Sequence, residues 1–90
     1  MSSRNIRFDP ECDKAADKLG GYEAIDDSLN AYLDALDREP AGFAKTETDR
    51  GSVRYIRTKP IGSIPELIWY FVLETNGDVT ITYVEKYHSD

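Results

Sequence analysis

This 90-residue sequence has a single cysteine, a single histidine and no long apolar run, and each shortage closes off a class of function. Cys12 has no second cysteine to join, so no internal disulfide forms, and a lone thiol fits a reducing compartment. Its apolar position in a helical stripe reads as a buried structural residue rather than a reactive one. His88 has no Cys partner, so no metal site is expected. No segment approaches the ~20 apolar residues of a membrane span and no hydrophobic signal region follows Met1. A soluble, unsecreted, cytoplasmic protein without membrane contact is expected. Phosphate-binding glycine loops, nucleophile elbows and dinucleotide glycine patterns are all missing, so no cofactor is expected. Without an internal repeat, a low-complexity tract or a dividing linker, residues 1–90 read as one domain. A core this small would be stabilised by docking with a partner or a second copy, so a homodimer is one expected state.

Positive charge is also scarce: 11 Lys and Arg stand against 17 Asp and Glu, a formal net charge of −6. Taken whole, that balance argues against a nucleic-acid binder, because phosphate contacts come from Lys and Arg. The deficit is uneven. Residues 1–49 carry 6 basic and 12 acidic side chains, whereas residues 50–90 carry 5 of each. Residues 50–60 hold Arg50, Arg54, Arg57 and Lys59 with no acid, so a folded domain has two electrically different sides.

What is abundant lies in the last third. Residues 66–75 and 78–86 are rich in β-branched and aromatic side chains and flank Asn76 and Gly77, the signature of a β-hairpin with a two-residue type I′ turn. That turn sets Val72 opposite Ile81 and Tyr70 opposite Tyr83. Alternation then places Ile68, Tyr70, Val72, Val79, Ile81 and Tyr83 on one face and Leu67, Trp69, Phe71, Leu73 and Val84 on the other. A strand apolar on both sides needs cover on at least one.

The N-terminal half supplies it. Residues 4–8 read as a short strand, Asp9 as a helix N-cap and Pro10 as the first helical residue, with Cys12, Ala15, Ala16 and Leu19 forming one buried stripe. Gly20 and Gly21 stop that helix. A second helix is predicted over 22–37, with Ile25, Leu29, Tyr32, Leu33 and Leu36 inward and the acidic residues solvated. Residues 46–52 read as a turn, 53–59 as a strand and 60–65 as a Gly/Pro loop. The predicted order is β-α-α-β-β-β: an α+β domain with two antiparallel helices on one face of a mainly antiparallel four-stranded sheet.

That order, with residues 53–57, 68–72 and the cluster Val84, Glu85, Lys86, Tyr87 and His88 at the end, resembles the RelE/ParE toxin superfamily of bacterial toxin–antitoxin systems. The resemblance covers nearly the whole chain and lies in layout more than in motif. It implies a toxin-like protein neutralised by an antitoxin protein, with the ribosome and its messenger RNA as one target. RelE-like members place Arg, Lys, Tyr and His side chains at such positions to grip messenger RNA, whereas ParE-like relatives act on DNA gyrase. The central strand here carries Ile68, Trp69, Tyr70 and Phe71 where RelE-like nucleases tend to carry a basic residue. A gyrase inhibitor and a non-enzymatic protein-interaction module on the same fold therefore stay open beside the nuclease.

Metal-free RNA cleavage needs a base, a phosphate-binding cation and an acid. Arg57, Lys86, Tyr87 and His88 are the catalytic candidates, and Arg50, Arg54 and Lys59 the RNA-binding ones. The opposing reading makes these cations a solubilising strand edge and residues 87–88 a frayed tail. Trp69 and Phe71 read as core, or, if nothing covers them, as the patch where a partner helix or strand docks.

Overall fold

Asp9 opens the first helix as the sequence predicts. The computed structural model describes residues 4–49 and 51–87. Strand β1 (Ile6–Phe8) runs into helix α1 (Pro10–Asp17), where the Asp9 carboxylate accepts from the Glu11 N–H at 3.3 Å and Pro10 fills a position whose N–H would have no helical partner. Cys12, Ala15 and Ala16 are buried on its inner face. Gly20 and Gly21, at φ 101° and 89°, then reverse the chain, and the Gly21 N–H caps the Ala16 carbonyl at 2.8 Å.

The predicted single helix over 22–37 is two, α2 (Tyr22–Asn30) and α3 (Leu33–Arg38). The Tyr32 N–H bonds to Leu29 O at 2.8 Å, a tightened last turn that breaks the α-helical ladder just after Asn30, a weak helix former. Pro40–Gly42 form a 3-10 turn.

Residues 46–52 are not simply a turn. They lie in a second hairpin made by β2 (Lys45–Thr48) and β3 (Gly51–Arg57), with Thr48 opposite Gly51. β2 is exposed for most of its length at the sheet's edge, so it lacks the apolar alternation that reveals a strand. β4 (Leu67–Leu73) and β5 (Val79–Lys86) complete a mixed five-stranded sheet in the order β1-β5-β4-β3-β2. β1 is parallel to β5, and every other pairing is antiparallel. Among the described residues the fold is thus α+β with three α-helices and five strands, one strand and one helix more than the sequence predicts.

The β4–β5 register departs from expectation beside the turn. Asn76 does not adopt a positive φ; only Gly77 does, at 95°, and the loop has three residues, with the Glu74 N–H on Asp78 O and the Gly77 N–H on Glu74 O. Pairing therefore sets Val72 against Thr80 and Phe71 against Ile81. A bulge then restores the expected step, so that Tyr70 does face Tyr83. Because of that extra residue, Val79, Ile81 and Val84 all point to the face of Leu67, Trp69 and Phe71.

The helices cover that face. Leu36, Leu67, Trp69, Phe71 and Val79 are all 0% exposed and share one core with Cys12, Ile25 and Leu29. Phe43 caps Phe71 edge-on at 5.7 Å between centroids. Trp69 and Phe71 are consequently core residues, and the expectation that they form a partner-binding patch is corrected: the chain's own helices fill that space. Arg4 ties the far end together, donating to Asp37 O at 2.6 Å and Gly77 O at 2.5 Å.

Candidate functional site

With the helices on one side, the opposite face of the sheet is left without a covering element among the described residues. Cross-strand partners share a face, so the register maps it. Tyr55, Tyr70 and Tyr83 stand in a single row across β3, β4 and β5, and Arg57, Ile68 and Glu85 form the row beside it. Tyr70 and Tyr83 lie 6.2 Å apart between ring centroids, and Tyr83 is 38% exposed. A groove of about 280 Å³ opens there, lined by Lys45, Thr46, Tyr55, Arg57, Ile68, Tyr70 and Tyr87.

Arg57 and Tyr87, both predicted, meet in this groove: the guanidinium carbon lies 3.9 Å from the centre of the Tyr87 ring. Tyr87 is held by its N–H on Glu66 O at 2.9 Å, and the Glu66 carboxylate accepts from Arg57 Nε. Glu66 raises the already basic Arg57 further, so the charge is permanent. Both Nη groups remain without a partner among the described residues. Burial, followed by the 2.5 Å hydrogen bond to Glu85, pushes the Tyr70 phenol well above its ordinary range, which makes it a donor and not a base at neutral pH.

The other predicted residues do not join them. Lys86 is paired with Leu67 and so belongs to the opposite side of the sheet, although it is exposed. Arg54 also sits on the helical side, opposite Phe71, and its guanidinium donates to the carbonyls of Ala41 at 3.1 Å and Phe43 at 2.8 Å. That commitment corrects its assignment to RNA: it fastens the chain that precedes β2. Lys59 is exposed beyond the end of β3 and does not line the groove. Arg50 and His88 lie outside the described residues.

Sequence reasoning did not single out Lys45, Thr46, Tyr55 and Glu66. The tyrosine row had a readable signal, since Tyr70 and Tyr83 were expected to face each other; Tyr55 needed only the β3 register to join them. Glu66 lies in a loop and carries no periodic signal. Among the described residues, no three His, Cys, Asp or Glu side chains come together as a metal site, and no helix is long and apolar enough to cross a membrane. No family model matches the chain, and no curated protein or solved structure is significantly similar to it.

Proposed function

We propose that this chain is a toxin-like component of a bacterial toxin–antitoxin system with a RelE/ParE-like fold, acting in the cytoplasm on RNA through the open face of its sheet. The observation that carries the reading is the Arg57–Tyr87 stack beside a tyrosine row. A guanidinium with free Nη groups suits a phosphate, and aromatic rings half-exposed on an open sheet face suit unstacked bases. The short β1 beside the last strand, the helical segment after it and the antiparallel remainder support the RelE/ParE layout. In the nuclease form of this reading Arg57 holds the scissile phosphate, and Tyr87 and His88 move protons. An antitoxin protein is then its natural partner.

The second reading is a non-enzymatic protein-interaction module using the same face. It is favoured by Glu66, which already neutralises Arg57, and by Lys86 lying on the other side, so the predicted cations do not converge. Titration of a labelled single-stranded RNA oligonucleotide separates the two. The RNA reading predicts saturable, salt-sensitive binding that weakens by about tenfold or more in Arg57→Ala and is unchanged in Lys18→Ala, just after α1. Binding that is absent, or equally strong in both variants, supports the interaction module.

A further inference from the structure

β2 is the outermost strand at one edge of the sheet, and its backbone groups alternate in direction. The Tyr55 N–H bonds to Ala44 O at 3.0 Å, which makes residues 44 and 55 a hydrogen-bonded pair. By the same alternation Thr46 turns its N–H and C=O toward β3, while Lys45 and Glu47 turn theirs out of the sheet. Two outward donors and two outward acceptors thus stand on an exposed edge. Lys45 and Glu47 carry opposite charges on the same pleat face, and neither has an ion-pair partner among the described residues.

We propose that two copies of this chain join through β2, antiparallel about a two-fold axis at Thr46. In that register each copy's outward groups at 45 meet those at 47 of the other, closing four backbone hydrogen bonds. The same operation sets Lys45 against Glu47 of the second copy, twice, as directly opposed cross-strand pairs. A short charged edge ordinarily blocks pairing because like charges meet. Here the signs alternate so that self-pairing is complementary. The other sheet edge does not share this property: antiparallel pairing centred on β1 would set Arg7 against Arg7, and Arg7 is already engaged with Asp78 at 3.3 Å. The axis stands perpendicular to the sheet, so the helices of both copies lie on one side and both open faces on the other. Lys45 and Thr46 line the groove, so the two grooves adjoin across the axis as one longer trough. The pairing stands independently of what the groove binds.

Sedimentation equilibrium of the full chain over a wide concentration range tests it, with circular dichroism to confirm folding. The unmodified chain should reach twice its mass of 10.2 kDa. Lys45→Glu and Glu47→Lys, each alone, put like charges across the axis and should each raise the dimer dissociation constant by about tenfold. An equimolar mixture of the two variants should recover the dimer, because unlike charges then face each other again. Glu47→Pro, which removes only an outward N–H, should also give monomers. Should a variant unfold, amide exchange on the unmodified chain decides: residues 45 and 47 become protected as concentration rises. A monomer at every concentration, a dimer indifferent to the single charge reversals, or no concentration-dependent protection at 45 and 47 would overturn the proposal.

Discussion

Phe71 faces Ile81 across the β4–β5 pair, one residue out of step with the neighbouring Tyr70 and Tyr83. The three-residue turn sets the first register and the bulge sets the second, and between them Ile81 is turned under the helices, 1% exposed, while Val72 stays half-buried on the open face. Ile81→Ala should therefore cost about 2–5 kcal/mol, and Val72→Ala about 1 kcal/mol. Urea titration of the two variants checks the order. Equal losses, or a larger one at Val72, would contradict the shifted register.

The two arginines of β3 should behave oppositely. Arg54→Ala removes charged hydrogen bonds to the Ala41 and Phe43 carbonyls and should lower stability by about 1.5–3 kcal/mol. Arg57→Ala breaks an exposed pair with Glu66 and should leave the unfolding midpoint close to that of the unmodified chain. Denaturant midpoints of both variants measure this difference, which separates a structural arginine from one free to serve the groove.

Asp78 should set the acid limit of the fold's N-terminal edge. Its carboxylate accepts the Asn5 N–H at 3.1 Å and pairs with Arg7, and these contacts, the Asn5 backbone bond first, hold it below the usual carboxylate range. A lowered folded value means stability that is present above the ordinary carboxylate pKa and lost as pH falls through the lowered one. Asp78→Asn should melt below the unmodified chain at neutral pH, and the gap should close as the solution is acidified through the lowered value of Asp78. Melting temperatures across that range provide the check; a gap that persists in acid would rule out this linkage.

At the alkaline end Tyr70 and Tyr22 ionise above the ordinary phenol range. Burial is the first cause for both, followed by the bond to Glu85 for Tyr70 and to Asp13, at 2.7 Å, for Tyr22. Their raised folded values contribute stability that is complete below the ordinary phenol pKa of about 10 and lost as pH rises beyond it. In an ultraviolet titration, Tyr70→Phe and Tyr22→Phe should each remove absorbance change that develops above the ordinary phenol pKa of about 10. Loss of absorbance change at or below that pKa in either variant would show that phenol to be solvated.

Much of the architecture was legible because it follows local rules. Asp9 and Pro10 cap α1 by chemistry contained in three residues, and the strand pattern of β4 and β5 is unbroken. β2 was invisible because an edge strand has no face to bury, so Lys45, Thr46, Glu47 and Thr48 look like a loop. The turn type was misread because Asn76 and Gly77 serve equally well in a three-residue loop where Gly77 alone takes positive φ. That one residue of difference moved Val79 and Ile81 to the other face. Of the site, the meeting of Arg57 and Tyr87 followed from reading the basic strand and the chain end together; the loss of Arg54 and Lys86 to the opposite side required the pleat phase of β3 and β5.

Growth and transcript integrity after induced expression in a bacterium decide whether the open face acts on RNA in the cell. The unmodified chain should arrest growth and shorten messenger RNA, Arg57→Ala should relieve both while remaining folded, and Lys18→Ala should not. Normal growth with intact transcripts at confirmed soluble expression would contradict it. Arrest with intact transcripts and broken DNA would contradict the RNA target and point to gyrase.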